Sequence, residues 1–298
     1  MNRKIVTYLA LSSLLLLGSC HWSSRHHEAL MSGIRESKNI IENSLDGNEE
    51  AQNQQTGTSA GNAQGGPNAD AQDVLLPAKL NDRPEQQLVR AGYVVSYNSA
   101  TRDPNWVAWH LTADHTTGPY KRQGVKFHED EDVDYPRATD ADYRGSGYDR
   151  GHMCPSADNR WSEQAQEDCF LFTNMCPQSH DLNSGDWNDL EDRCRKWADE
   201  YGDIYIVSGP VFKEAKGRSI GQNKVRVPDG FFKVVVCMRG TPKGIGFYCP
   251  NEDGHRDLFA YATSIDEIER LTGIDFFASL PNQTEQAVEK AYDANDWN

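Results

Sequence analysis

A histidine, an asparagine and a glutamate between positions 152 and 191 have residue types that suit hydrolysis of a phosphodiester bond. His152 follows a turn-prone Gly151, and histidine can act as a general base because its ordinary pKa lies near neutrality. Asn183 and Glu191 are eight positions apart, about two turns of a helix, so both could reach one cation. Mg²⁺ prefers oxygen ligands and retains waters, which suits a direct contact from Asn183 and a water-mediated contact from Glu191. Taken singly, each residue also has a structural explanation: an exposed histidine, a helix N-cap and a surface charge.

The elements expected around these residues mix strands and helices without regular alternation. Residues 183–201 are predicted as a helix that ends at Gly202. β-branched and aromatic runs predict strands at 92–97, 105–111, 170–174, 204–207, 231–236 and 245–248, and further helices are predicted at 264–272 and 284–294. This order predicts an α+β fold, a mixed β-sheet core with flanking helices, in one domain over residues 74–298.

The N-terminal 73 residues differ in composition from the rest of the chain. Two basic residues precede an apolar run that ends at Leu17-Gly18-Ser19-Cys20, which resembles a bacterial lipobox. We therefore expect residues 1–20 to be a lipoprotein signal peptide with Cys20 as the lipidated residue; an ordinary secretory peptide is the alternative. Residues 21–73 are polar and poor in aromatic side chains, and are predicted as a flexible low-complexity tether. The expected location is exported and membrane-anchored, either periplasmic or at the cell surface.

Six cysteines follow Cys20, and in an exported domain this number predicts disulfide bonds. One pairing is suggested by position. Cys237 and Cys249 lie symmetrically about Lys243 in two strand-like runs, so a hairpin would bring them opposite each other. A zinc site is disfavoured because the sequence contains no Cys-x-x-Cys pair. The six cysteines are Cys154, Cys169, Cys176, Cys194, Cys237 and Cys249.

The charge of the chain is uneven. Its net charge is -15, which alone would argue against a nucleic-acid partner. Residues 213–243, however, hold eight basic residues against two acidic ones. Phosphate contacts need local cations rather than a basic whole, so DNA and RNA stay possible partners. An ordinary solvated face explains this stretch equally well when it is considered alone.

The stretch from residue 149 to residue 191 resembles the DNA/RNA non-specific endonuclease family, to which mitochondrial endonuclease G belongs. Asp-Arg-Gly-His stands at 149–152, Asn-x-x-Pro-Gln at 174–178 and Leu-Asn-x-Gly-x-Trp-x-x-Leu-Glu at 182–191. Flanking segments extend the resemblance over about residues 75–298. The combination is specific, whereas Asp-Arg-Gly-His alone would be a weak signal.

The resemblance implies a metal-dependent, sugar-nonspecific endonuclease that hydrolyses DNA and RNA. Its active site would be a ββα unit that holds one divalent cation, Mg²⁺ or alternatively Mn²⁺. The family implies His152 as the general base, Asn183 as the direct metal ligand and Glu191 as a ligand through water.

The resemblance also implies supporting roles for three more residues. Arg122 matches the arginine that stabilises the phosphate in the transition state. Arg150 would position the substrate or support the site. Asn174 would orient His152 or a neighbouring loop.

Two other classes of function are weighed against an enzyme. A surface lipoprotein could bind extracellular nucleic acid without cleaving it, but such a protein would need no general base at position 152. A structural protein on the same scaffold would suit the acidic C-terminal segment, yet every expected catalytic position is filled. No protein partner is identifiable from the sequence.

Overall fold

The computed structural model describes residues 75–214, 216–252, 254 and 257–297, all of which belong to one unit, Gly65–Asn298. The predicted signal peptide at 1–20, including Cys20, and the predicted tether at 21–73 lie outside the described residues. Within the described ranges, no helix is both long and apolar enough to cross a membrane.

A seven-stranded antiparallel sheet forms the centre of the described chain. Its strands are β1 (Gln86–Val89), β2 (Val94–Asn98), β3 (Asp103–Thr112), β6 (Asp203–Val211), β9 (Gly230–Cys237), β10 (Lys243–Pro250) and β11 (Ala262–Thr263). Two smaller antiparallel pairs are formed by β4 (Asp149–His152) with β5 (Met175–Gln178), and by β7 (Ser219–Ile220) with β8 (Val225–Arg226). In the large sheet the strand order is β1-β2-β3-β6-β9-β10-β11.

Helices flank this sheet, which confirms the predicted α+β class. They are α1 (Asp140–Tyr143), α2 (Glu163–Asp168), α3 (His180–Ser184), α4 (Asp186–Tyr201), α5 (Ile265–Thr272) and α6 (Asn282–Glu289). Helix α5 begins where the Ser264 hydroxyl accepts a hydrogen bond from the Glu267 backbone N–H, and it ends at Gly273, whose φ of 69° suits glycine.

The main core lies between one face of the sheet and α4. All eight residues of β9 are buried because both faces of this central strand are covered. Side chains along a strand alternate between faces. On β10, Ile245 and Phe247 join the core cluster that contains Trp187 and Trp197 of α4. This packing places α4, and hence the residues it carries, directly against the centre of the sheet.

Two predicted elements differ from the structure near the site. The single helix predicted over 183–201 is two helices, separated at Gly185 with φ of −109° and ψ of −112°. A Cβ at Gly185 would lie 2.5 Å from the backbone oxygen of Asp181, so the sharp turn requires glycine. The predicted strand at 170–174 is also wrong. Its last residues form a 3-10 turn, Phe172–Asn174, in which the Asn174 N–H donates to the Leu171 oxygen, and the strand begins only afterwards, at Met175.

The expected pairing of Cys237 with Cys249 is wrong. In the β9–β10 hairpin, Cys237 lies opposite Lys243, whereas Cys249 lies opposite Phe231. The symmetry seen in the sequence was centred on Lys243, but the turn lies between residues 237 and 243, so the register is displaced. All six cysteines of the described chain are buried free thiols, with no disulfide among them.

We expect the described domain to keep its stability under reducing conditions, because it contains no disulfide bond to lose. The melting temperature should be the same with and without excess dithiothreitol. A thiol reagent should leave these six cysteines unmodified in the native state, since all are buried, and modify them in guanidinium chloride. A melting temperature that falls on reduction would show that disulfides form after all.

Candidate active site

Strand β4, which carries the Asp-Arg-Gly-His motif, is held against β5 by a close backbone approach. His152 lies opposite Met175 in this pair. Gly151 is buried, and a Cβ added to it would lie 2.2 Å from the side-chain oxygen of Gln178 and 2.7 Å from its Cβ. Gln178 is itself fully buried. The motif therefore needs glycine at position 151 because any side chain there would displace Gln178 or separate the strands.

His152 is held between aromatic rings with a nitrogen left free. The centroid of its ring lies 5.0 Å from that of Phe170 and 5.6 Å from that of Phe127. Its Nε2 atom is buried and has no hydrogen-bond partner among the described residues. Burial, assisted by the positive charge of Arg122, lowers the pKa of His152 to about 3. The imidazole is therefore neutral near pH 7, the form that can accept a proton.

The structure brings Arg122 to the same place as His152. The guanidinium carbon of Arg122 lies 5.8 Å from the centroid of Phe170, the ring that also contacts His152. The Arg122 side chain is exposed, and it makes no hydrogen bond or ion pair with another described residue. A cation of this kind is free to meet an incoming phosphate.

Arg150 is fixed rather than free. Its Nε and one terminal nitrogen donate to the same carboxylate oxygen of Asp140 at 3.0 and 2.6 Å. The guanidinium also lies over Phe127 and Tyr143, 5.5 and 5.6 Å from the ring centroids. The Phe127 ring therefore packs against both Arg150 and His152 of the Asp-Arg-Gly-His motif. No sequence pattern had drawn attention to Phe127.

Asn183 is oriented by the first residue of the motif. Its amide nitrogen donates to the Asp149 carboxylate at 3.0 Å, and the Nδ1 atom of His180 lies 2.8 Å from the same oxygen. The hydrogen bond fixes which end of the Asn183 amide faces Asp149. The amide oxygen makes no hydrogen bond with other described residues, so it is available to a ligand.

Glu191 lies on α4, one turn after Trp187, whose indole N–H donates to the backbone oxygen of His152 at 3.3 Å. The structure shows no direct hydrogen bond from Glu191 to the other site residues it describes. Burial raises the pKa of Glu191 to about 7, and the positive charge of Lys233 opposes this increase. Lys233 is fully buried, with its Nζ 4.4 Å from the Trp187 ring centroid and 5.2 Å from that of Trp109.

Lys233 was not identified from the sequence as a site residue. It is the single charged residue in the run Phe-Phe-Lys-Val-Val-Val at 231–236, and a lone charge in an apolar strand is a signal that could have found it. A second buried charge lies nearby. Asp158 accepts from Trp109 Nε1 at 3.1 Å and forms an ion pair of 3.0 Å with Arg195. These charges act on the Glu191 carboxylate: Lys233 and Arg195 lower its pKa, and Asp158 raises it.

The side chain of Asn174 makes no hydrogen bond with the His152 ring and instead fixes the backbone that follows His152. Its side-chain oxygen accepts from the Cys154 N–H at 2.9 Å, and its nitrogen donates to the backbone oxygens of Cys154 and Cys169 at 2.9 and 2.8 Å. Its own backbone oxygen accepts from the Met153 N–H at 3.0 Å. Asn174 thus clamps the two residues after His152.

The residues around Asn183 fit a small, hard cation. The free amide oxygen of Asn183 and the Asp149 carboxylate beside it supply oxygen donors and negative charge, the ligands that Mg²⁺ and Mn²⁺ prefer. The donor set is therefore consistent with one divalent cation.

Replacing Asn174 with alanine should destabilise the domain by about 3 kcal/mol, because it leaves buried backbone groups of Cys154 and Cys169 without partners. Urea unfolding would measure the loss. Asn81→Ala is the control, since Asn81 is exposed and makes one weak hydrogen bond of 3.4 Å. We expect its free energy of unfolding to change by less than about 0.5 kcal/mol. Equal effects of the two substitutions would contradict the role given to Asn174.

His152 and His180 should titrate in opposite directions from the ordinary histidine pKa. His152 should stay neutral until the pH falls towards 3, whereas the pKa of His180 is raised by its contact with the Asp149 carboxylate. Nuclear magnetic resonance of the imidazole nitrogens would record both in one sample. Arg122→Gln should raise the pKa of His152 by removing a neighbouring positive charge and leave that of His180 unchanged. A His152 pKa above 6 in the wild type would contradict this account.

Known nucleases are similar in sequence to the described domain. Mitochondrial endonuclease G from Bos taurus is 38% identical over 205 residues, which cover 64% of this chain and 69% of that protein. A nuclease from Nostoc sp. is 34% identical over 232 residues, which cover 73% of this chain and 82% of that protein. A crystal structure of the EndoG/EndoGI complex matches with a TM-score of 0.64 at 29% identity, covering 67% of this chain and 89% of that one.

The predicted location, an exported lipoprotein anchored to a membrane through Cys20, is wrong. Relatives of this chain include mitochondrial endonuclease G and mitochondrial EXOG, which are not membrane-anchored lipoproteins. The prediction rested on four residues, Leu17-Gly18-Ser19-Cys20, after a short apolar run. So short a pattern arises by chance far more readily than the motifs of the site.

The motifs at 149–191 carry the classification. A family model described as DNA/RNA non-specific endonuclease matches residues 77–283, a range that contains every residue of the site from Arg122 to Glu191. The resemblance inferred from these motifs is confirmed by this match and by the nuclease relatives. The chain belongs to the DNA/RNA non-specific endonuclease family, and it is an endonuclease that hydrolyses phosphodiester bonds.

Proposed function

We propose that this endonuclease needs a divalent metal and hydrolyses DNA and RNA without selecting the sugar, with residues 74–298 as its catalytic domain and His152 as the general base. The observation that carries the proposal is the state of His152: its Nε2 is buried, lacks a hydrogen-bond partner among the described residues, and belongs to a neutral ring. A neutral histidine beside a free arginine suits removal of a proton from water near a phosphate.

In this proposal, His152 accepts the proton of the attacking water. Phe127 and Phe170 hold the ring in place, so little ordering is left to be done when substrate binds. The low pKa of His152 in the free enzyme is expected to rise when substrate binds. An incoming phosphate brings negative charge that offsets the charge of Arg122, and this raises the basicity of His152 at the moment a proton must be taken.

The two arginines have different roles. Arg122 is exposed and unpaired within the described chain, so its guanidinium is available to the charge that develops on the phosphate. Arg150 is bound to Asp140 and packs on Phe127, so it supports the site and the position of β4. Asn174 positions the backbone next to His152 and does not touch substrate.

Nucleases of this family depend on a divalent metal. Here Asn183 would hold the cation through its amide oxygen, with Asp149 fixing the amide, and Glu191 would contribute through a water. When bound, the cation neutralises phosphate charge and stabilises the leaving oxygen. Glu191 serves best as a carboxylate, and the buried charge of Lys233 favours that form.

Contacts with phosphate rather than base edges explain why neither base nor sugar would be selected. The eight basic residues at 213–243 are not all available for such contacts, because Lys233 is fully buried. The other candidate function is binding of nucleic acid without cleavage. The buried, unpartnered nitrogen of His152 favours the enzyme, since binding alone has no use for it.

The test is cleavage of plasmid DNA and of total RNA by the full chain, with MgCl₂ or MnCl₂ and with excess EDTA. Both substrates should be degraded, and EDTA should abolish the reaction. His152→Ala should lower kcat by about 10²-fold or more, because it removes the general base. Binding of a labelled oligonucleotide, followed by fluorescence anisotropy, should change little.

His128→Ala is the matched control. His128 is exposed, and its Nδ1 lies 3.0 Å from the backbone oxygen of Lys126 rather than from a residue assigned to catalysis or metal binding. This variant should cleave as fast as the wild type. Binding without cleavage under any divalent metal would favour the non-cleaving alternative. Unchanged cleavage by His152→Ala would refute the role of the histidine.

A further inference from the structure

Three carboxylates converge between the two C-terminal helices. Asp266 and Glu269 lie three positions apart on α5, and Glu289 is the last residue of α6. Each offers one carboxylate oxygen, and these oxygens all lie within 4.8 Å of one another. Three negative charges at this separation repel one another unless something neutralises them.

Of the three carboxylates, that of Glu289 is the most deeply buried. The residue is 5% exposed, and its Oε1 atom is buried without a hydrogen-bond partner in the described part of the chain. Within the described ranges, Glu269 alone of the three accepts a hydrogen bond, from the Phe276 N–H at 2.7 Å. Among the described residues, no lysine or arginine pairs with any of the three carboxylates. A buried carboxylate oxygen without a partner costs free energy, and two further carboxylates within 4.8 Å add to that cost.

We propose that Asp266, Glu269 and Glu289 bind a structural Ca²⁺ ion that joins α5 to α6. Three carboxylates can supply up to six oxygens in an irregular arrangement, which Ca²⁺ accepts and which Mg²⁺, with its strict octahedral geometry, does not. Asp266 is exposed, so water can reach the ion from that side and complete its coordination.

This site is separate from the catalytic one. A Cβ at Gly244 or Gly246 of β10 would lie 2.8 Å from Ile265 Cδ1 or Ile268 Cγ1 of α5 respectively, so these glycines face α5. Their neighbours Ile245 and Phe247 face the core shared with α4. Because strand residues alternate between faces, α5 and α4 lie on opposite faces of the sheet.

The position of the ion explains what it would do. The backbone at the end of α6 comes so close to β10 that a Cβ at Gly244 would lie 2.2 Å from the oxygen of Val288. The carboxylate of Glu289 is thereby buried by the same packing that docks α6. A cation bound by carboxylates of both helices would offset their mutual repulsion and link α5 to α6.

The experiment uses the full chain, stripped with EDTA and desalted, with CaCl₂ or MgCl₂ as the probe. Bound metal is measured by equilibrium dialysis and elemental analysis, and stability by the melting temperature. Asn183→Ala removes the ligand proposed for the active-site cation, so that the second site is measured alone. In that background we expect one bound Ca²⁺ per chain and a melting temperature several degrees higher with CaCl₂. Adding Glu289→Gln should abolish both effects.

Glu267→Gln is the matched control, because Glu267 lies on the same helix, is exposed, and pairs with Arg270. It should leave calcium binding and the thermal shift intact. Glu289→Gln should melt no lower than its parent without metal, since glutamine is neutral at every pH and keeps the shape of the side chain. Undiminished calcium binding by Glu289→Gln, no bound calcium in Asn183→Ala, or tighter binding of Mg²⁺ than of Ca²⁺ at this site would each overturn the proposal.

Discussion

The pairing of β4 with β5 is the contact on which the rest of the active site depends. Each strand has four residues, and so short a two-stranded pair is not stable by itself. It persists because the surrounding fold holds it: the side chain of Asn174 clamps the backbone that follows β4, and Ser208 of the large sheet donates to the Met153 oxygen at 3.1 Å. The helix α4 adds the bond from Trp187 to the His152 backbone. The backbone of His152 is thus held by these contacts, while Phe127 and Phe170 pack against its ring and Nε2 keeps no hydrogen-bond partner among the described residues.

Buried charged residues are the second feature on which the chemistry of the site depends. Lys233 and Asp158 lie beneath the site, where taking them out of water costs free energy that their mutual attraction and the Arg195 ion pair only partly offset. Their effect falls on Glu191, whose pKa reflects a balance between burial and the charge of Lys233. The opposite face of the sheet presents the contrasting case, where Glu289 is buried among like charges. On one face of the sheet the buried charges of both signs lie together; on the other, three carboxylates lie together with no basic partner among the described residues.

Much of the fold could be predicted because local sequence and tertiary packing agree. The run at 231–236 forms part of β9, as expected of β-branched and aromatic residues in a central strand. The helix at 265–272 was foreseeable from its Ser264 cap and its Gly273 stop. Prediction failed where a contact distant in sequence decided the outcome. The residues at 170–174 have strand-like character, yet a turn there carries Asn174 inward to its bonds with Cys154. The pairing of cysteines failed because symmetry in sequence does not determine hairpin register.

The sequence by itself determined the family and the residue types of the site, because the spacing of the motifs at 149–152, 174–178 and 182–191 is specific to one chemistry. It also determined the α+β class, since hydrophobic periodicity is a local property of the chain. The tertiary structure alone decided the state of those residues. Burial between two phenylalanine rings and the approach of Arg122 make His152 neutral, and Asp149 orients the amide of Asn183. Protonation and orientation depend on neighbours brought together by folding, and no pattern along the chain records which neighbours those will be.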